Sequence, residues 1–148
     1  MANDSAPQLE ACLPPAPEIV RRACDFDQAT NVAAGGLPYG DTVIHNSAPY
    51  DSAPNMVGYD IAFQGPADYG LYIEYAALEP RPCEVMWDGK VIASAGLNQA
   101  TGGWEEKFQQ RHKEGVVSGD AGVHHLVISR GDVFPHIRTI WLELENPK

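Results

Sequence analysis

Along the middle of the chain apolar and polar residues alternate. Val57, Tyr59, Ile61 and Phe63 share one parity, with Gly58, Asp60 and Ala62 on the other; after the turn "QGPAD", Tyr69, Leu71, Ile73 and Tyr75 alternate with Tyr72 and Glu74. A period of two puts every apolar side chain on one face of a strand, so each segment predicts a half-buried strand, and the short break between them predicts a hairpin. "CEVMW" and "KVIAS" flank Asp88-Gly89, a dipeptide favoured in two-residue hairpin turns, and predict a second hairpin. "VHHLVISR" then passes through "GDVFP" into "HIRTIWLELE", where Ile140, Leu142 and Leu144 face in while Thr139, Trp141 and Glu143 face out. "EIVRRACDF" predicts the first strand. "EEKFQQRHKEGVV" suits a short helix, but its place among hairpins predicts a mainly polar strand.

Two regions lack this order. Residues 29–55 are rich in glycine and proline, with only "DTVIH" suggesting a strand, and a loop this long in a compact domain is often a binding element. Residues 1–17, small, polar and proline-rich, predict a flexible N-terminal tail or linker, leaving 18–148 as a single β-sandwich domain. About eight or nine short strands at this spacing predict an all-β fold, an antiparallel jelly-roll β-sandwich. No internal repeat points to a propeller or solenoid.

Composition narrows the partners. With 148 residues, 44% of them apolar, the chain can bury one core, and its 12 prolines and 14 glycines argue against a helical bundle. The formal net charge is -10 and no basic run exceeds Arg21-Arg22, so nucleic acid is not an expected partner. No segment approaches the roughly 18 consecutive apolar residues of a membrane span. The N-terminus has no signal-peptide pattern, which leaves the compartment open: cytoplasmic, or secreted or periplasmic if a leader preceded it. Cys12, Cys24 and Cys83 have no metal-ligand spacing and leave one disulfide open among them. His124 and His125 point to opposite faces of a strand and make no joint metal site. No G-x-S-x-G, H-E-x-x-H or P-loop pattern occurs, and nothing sets Glu105-Glu106 or Asp25 and Asp27 as a glycosidase pair, so no enzyme is expected. Turn chemistry accounts for "RGD" at Arg130-Gly131-Asp132.

One order of short segments is more specific. "VMWDGKVIASAGLNQATGGW", a strand, then "GDAGVHHLVISRGDVFPHIRTIWLEL" resembles the carbohydrate-binding modules of families six and thirty-five, with their galactose-binding-like fold, over about Glu18 to Glu145. The resemblance implies a non-catalytic module whose ligand site lies among the loops at one end of the sandwich. Its partner would be a polysaccharide or oligosaccharide, and the module could belong to a larger multi-domain protein. In this chain the two aromatic platforms of such a site are Tyr39 of "GGLPYGD" and Trp104 of "ATGGW". His136 stands where the family commonly has a polar residue against the sugar. The family's first strand usually carries glutamates that help bind a structural calcium; here Arg22 and Cys24 take those places, so no cofactor is expected and calcium is the one ion the resemblance leaves open. Arg138 is a second departure, standing where an Asp is usual.

The residue types suit that chemistry. A pyranose presents C–H groups on one face and hydroxyls around its rim, so an aromatic face covers the first and amide, imidazole or hydroxyl groups bond the second. Trp104 and Tyr39 fit the first role, with Tyr50 of "SAPYDSAP" as the substitute for Tyr39. His136 fits the second, with Asn98, Gln99 and Thr101 as further rim candidates. Each has a plainer alternative: a tryptophan capping the core, a loop tyrosine, a satisfied histidine. Trp87 and Trp141 suit packing, Trp141 also a second face or self-association. The competing expectation is a structural or interaction β-sandwich that binds no sugar.

Overall fold

The computed structural model describes residues 13–36, 38–47 and 54–145, and these form two antiparallel sheets packed face to face. The strands are β1 (Glu18–Arg22), β2 (Gln28–Thr30), β3 (Val32–Ala34), β4 (Ile44–Asn46), β5 (Asn55–Phe63), β6 (Ala67–Ala76), β7 (Cys83–Trp87), β8 (Lys90–Gly96), β9 (Gln110–Gly119), β10 (Gly122–Arg130) and β11 (His136–Leu144). One sheet runs β3-β4-β11-β6-β9, with β1 also pairing β11; the other runs β2-β5-β10-β7-β8. The jelly-roll β-sandwich expected from the strand spacing is therefore the fold.

The alternation holds in β5 and β6: Val57, Tyr59, Ile61 and Phe63 of β5 and Tyr69, Leu71, Ile73 and Tyr75 of β6 are all buried. Their pairing differs from the expected hairpin. β5 pairs with β2 and β10, β6 with β11 and β9, so the turn between them carries the chain from one sheet to the other. The two apolar faces meet across the core instead of lying side by side, with Phe63 and Tyr69 edge to face at 4.8 Å. Residues 14–17 lie against this crossing: Gln64 Nε2 donates to the Pro14 carbonyl at 2.9 Å and the Tyr69 hydroxyl to that of Ala16 at 2.7 Å. A Cβ on Gly65 would fall 2.2 Å from the Leu13 carbonyl oxygen, which is why glycine occupies the crossing.

The second hairpin forms as its turn chemistry requires. β7 pairs with β8 across Asp88 (φ 49°) and Gly89 (φ 82°), the left-handed pair of a tight hairpin turn. β2, which begins one residue before the segment expected to be mostly loop, and β3, which lies inside it, have three residues each, too few to show any period. "EEKFQQRHKEGVV" divides into a 3-10 turn, Glu106–Phe108, and the strand β9.

Trp87 is 5% exposed in the core, its indole N–H donating to the Ser118 carbonyl at 3.0 Å. Trp141 lies on the outer sheet face, where the Arg111 guanidinium stands 4.8 Å from its ring and 4.3 Å from that of Tyr72. Cys24 and Cys83 are free thiols; Cys83 is 1% exposed and burial pushes its pKa up to about 12, so it packs as a small hydrophobe. Cys12 and Tyr50 lie outside the described residues. Among the described residues no helix is long and apolar enough to cross a membrane.

The strand directions make the two ends of the sandwich unlike. One end carries the β5–β6 crossing and the tight β7–β8 and β9–β10 turns; the other collects the longer β6–β7, β8–β9 and β10–β11 loops, and the β3–β4 loop folds against it, with Tyr39 4.4 Å from His136.

Candidate functional site

Four loops at the second end surround a pocket of about 350 Å³. Tyr39 comes from the β3–β4 loop, Arg81 from β6–β7, Trp104 from β8–β9, Phe134 from the β10–β11 connection and His136 from the start of β11, with His45 and Asn46 of β4 closing the wall. Tyr39, Trp104 and His136 of the expected set are thus brought together.

Each is held by identifiable contacts. The Tyr39 turn closes through its own N–H and that of Gly40, both donating to the Gly36 carbonyl at 3.0 Å, with Gly40 at φ 116°. The Trp104 loop is pinned to the end of β6: the Thr101 N–H donates to the Ala77 carbonyl at 2.7 Å, and the Ala77 N–H donates to the Thr101 hydroxyl oxygen at 3.0 Å. A Cβ on Gly103 would lie 2.4 Å from the Phe108 ring, and Gly102 sits at φ 108°, so the paired glycines let the chain turn over Phe108 just before the tryptophan. The β10–β11 connection hangs on two buried amides: Asn46 Oδ1 accepts from the Phe134 N–H, Asn46 Nδ2 donates to Asn55 Oδ1 at 2.7 Å, and Asn55 Nδ2 donates to the Asp132 carbonyl.

His136 is the polar centre. It is 8% exposed, edge to face with Tyr39 at 4.4 Å and 5.0 Å from Trp104. Its Nδ1 lies 3.1 Å from the Trp104 carbonyl, an acceptor, so Nδ1 carries the proton and Nε2 is left with a lone pair. Burial pushes the imidazole down to about 4, against the opposing pull of that carbonyl, so the ring is neutral near pH 7.

The aromatic cluster is recessed and is not the exposed platform that the loop position suggested. Arg81 explains why: its guanidinium carbon lies 3.8 Å from the Trp104 ring centroid, within stacking reach of one indole face, while Nη1 donates to the Phe134 carbonyl at 2.9 Å. Arg81, His45 and Asn46 were not among the expected residues; an arginine held between Pro80 and Pro82 was the one available signal, and it resembled an ordinary chain break. Asn98 is exposed outside the pocket, accepting from Gln99 Nε2 at 3.0 Å, and Thr101 is buried behind the loop. Among the described residues a wider depression of about 450 Å³ beside Pro82, Glu84 and Arg130 is lined by no aromatic, and Arg130 Nε and Nη1 donate to the Val133 and Pro82 carbonyls. A structural calcium does not fit the first strand: Arg22 forks onto Asp25 at 2.9 and 3.0 Å, filling that carboxylate with a cation.

No family model and no curated protein matches the sequence. Solved structures do match in shape. CBM35 from Paenibacillus barcinonensis superposes with a TM-score of 0.69 at 18% identity, covering 86% of this chain and 98% of that one. This chain has the fold of these modules. A GH26-CBM35 β-(1,4)-mannanase from Podospora anserina matches with a TM-score of 0.66 at 18% identity over 89% of this chain, which spans only 28% of the mannanase. A β-1,3-glucan binding CBM6 from Bacillus halodurans gives 0.62 at 16% identity over 86% of this chain and 96% of its own.

Proposed function

We propose that residues 18–148 are a non-catalytic carbohydrate-binding module that takes a glycan in the loop-end pocket. Fold alone does not decide function, so the reading stands on the site. The single observation that carries it is the concave wall in which the rings of Tyr39 and Trp104 flank a neutral imidazole with an unspent acceptor. Nε2 of His136 accepts from a sugar hydroxyl, Arg81 donates to another, and the rings cover the C–H face. The pocket's volume of about 350 Å³ lies at the small end of ligand sites and has room for one or two rings. Such a site binds in roughly the micromolar to millimolar range, because every hydroxyl exchanges water for protein.

Affinity electrophoresis through gels containing soluble polysaccharides tests this, with β-mannan and β-1,3-glucan first and uronate-rich glycans beside them. Retardation of the wild type by one glycan, lost in Tyr39→Ala and Arg81→Ala variants that stay folded, is the expected result; unretarded migration in every gel sinks the proposal. The second reading, an interaction domain without a sugar site, draws on Arg81 already lying against Trp104, and predicts the unretarded outcome.

A further inference from the structure

Below the pocket, on the rim it shares with the six-stranded sheet, one arginine is gripped by two carboxylates. Arg138 Nε and Nη2 donate to the two oxygens of Glu74 at 3.0 and 2.6 Å, and Nη1 donates to Glu106 Oε2 at 3.1 Å. The register of β11 against β6 shifts between Ile137 and Thr139, so Arg138 is the extra residue of a β-bulge, a device that re-aims a side chain beside functional sites. Glu74 belongs to the sheet and its side chain is 14% exposed; burial alone would raise its pKa, but the Arg138 guanidinium and the Thr139 hydroxyl together outweigh that and hold the carboxyl below its ordinary value.

Glu106 is the other end of the grip, and it links two walls of the pocket, the Tyr39 turn and the Trp104 loop. It opens the 3-10 turn two residues after Trp104, and its N–H reaches the Pro38 carbonyl at 3.4 Å, next to Tyr39. Its carboxylate lies against Gly40, where an added Cβ would be 3.0 Å from Oε2. Arg138 itself is two residues beyond His136. Through Glu106 the Tyr39 turn and the Trp104 loop are therefore tied to the strand that carries His136.

We propose that Glu106 and Arg138 form an ionic clasp that sets the opening of the pocket, acting as positioning residues for Tyr39 and Trp104. The clasp is asymmetric. The Glu74 side is a two-pronged anchor in the sheet, whereas the Glu106 side chain is 57% exposed, so salt screens it and side-chain motion competes with it. Releasing it lets the Trp104 loop move relative to the Tyr39 turn while the sandwich remains intact. The proposal rests on the pocket being the sugar site, but its geometry is measurable without sugar.

The test is a ¹H–¹⁵N NMR comparison of wild type, Glu106→Gln and Arg138→Lys at low and high potassium chloride, with the Trp104 indole signal identified by Trp104→Phe. In Glu106→Gln the Trp104 indole N–H and the Tyr39 and Gly40 amides shift, those of Trp87 and Trp141 stay, and the melting temperature moves by less than about 3 °C. High salt shifts the wild type toward the variant spectrum and leaves the variant unchanged, and Arg138→Lys falls between. For any glycan that the gels identify, affinity drops roughly fivefold in Glu106→Gln. Unmoved pocket signals, or shifts that reach Trp87 and Trp141 equally, overturn the clasp. Pocket signals that move in a protein no glycan retards uphold the clasp and remove the sugar reading.

Discussion

At the turn end of the sandwich His124 lies between Trp87 and Phe63, ring centroids 5.3 and 4.4 Å away; at the loop end His136 lies between Trp104 and Tyr39, at 5.0 and 4.4 Å. The residue types and spacings nearly repeat, but the hydrogen bonding does not. His124 Nδ1 is 2.6 Å from the Asp88 carboxylate and Nε2 is 2.8 Å from the Asp120 carbonyl, so both nitrogens face acceptors and only the doubly protonated ring satisfies both. Burial works against that charge, yet the Asp120 carbonyl and Asp88 together raise the pKa above its ordinary value. His136 meets one carbonyl, keeps Nε2 free and titrates at about 4. An aromatic–histidine cluster is thus no site in itself. What separates the two ends is hydrogen-bonding capacity left unspent in a concave place, and it is left at the end made of loops.

The comparison breaks first at the tryptophans. Trp87→Ala, which empties core volume, is expected to cost about 3–5 kcal/mol in urea unfolding, whereas Trp104→Ala gives up about 1 kcal/mol of stacking and loop packing. Equal costs would show that both tryptophans are structural. Gly119→Ala comes next: its Cβ would lie 2.2 Å from His124 Cε1, and relieving that overlap costs about 1–3 kcal/mol at the turn end while leaving the pocket's NMR signals in place.

Acidity separates the histidines in opposite directions. The folded pKa of His124 is raised, so its stabilisation is complete below the unfolded value near 6.5 and disappears as the pH rises through the folded value; His124→Gln removes that slope from the melting curve. The folded pKa of His136 is depressed, so the unfolded chain binds the proton first and stability falls as the pH drops from 6.5 toward about 4. Glycan affinity at the pocket should stay level from about pH 8 down to about pH 5 and change only as His136 protonates. The smallest effect expected is that of Asn98→Ala, an exposed residue outside the pocket, which should shift stability by less than about 0.5 kcal/mol and leave affinity unchanged.

How much of this the sequence displays follows from the range of each signal. The inward faces of β5, β6 and β11 are legible because a period of two is written over Val57–Phe63, Tyr69–Tyr75 and Ile140–Leu144, and the β7–β8 turn because Asp-Gly is a local preference. Alternation says which face of a strand is apolar and nothing about its neighbour, so β5 and β6 looked like a hairpin while their apolar faces meet across the core. Thr101 shows the same limit at the site. As a polar loop residue beside Trp104 it suits a sugar rim, but its hydroxyl is taken by Ala77, 24 residues away in the chain. Arg81 reaches Trp104 from a different loop, a meeting that no local pattern records.

The most direct test of the account is tryptophan fluorescence titrated with soluble oligosaccharides and uronic acids, on wild type, Trp104→Ala and Trp141→Ala. The account predicts a saturable change in the wild type, kept in Trp141→Ala and lost in a folded Trp104→Ala. A flat titration across the panel, or a response that survives without Trp104, would contradict it and move attention to the Tyr72–Trp141 face of the sheet.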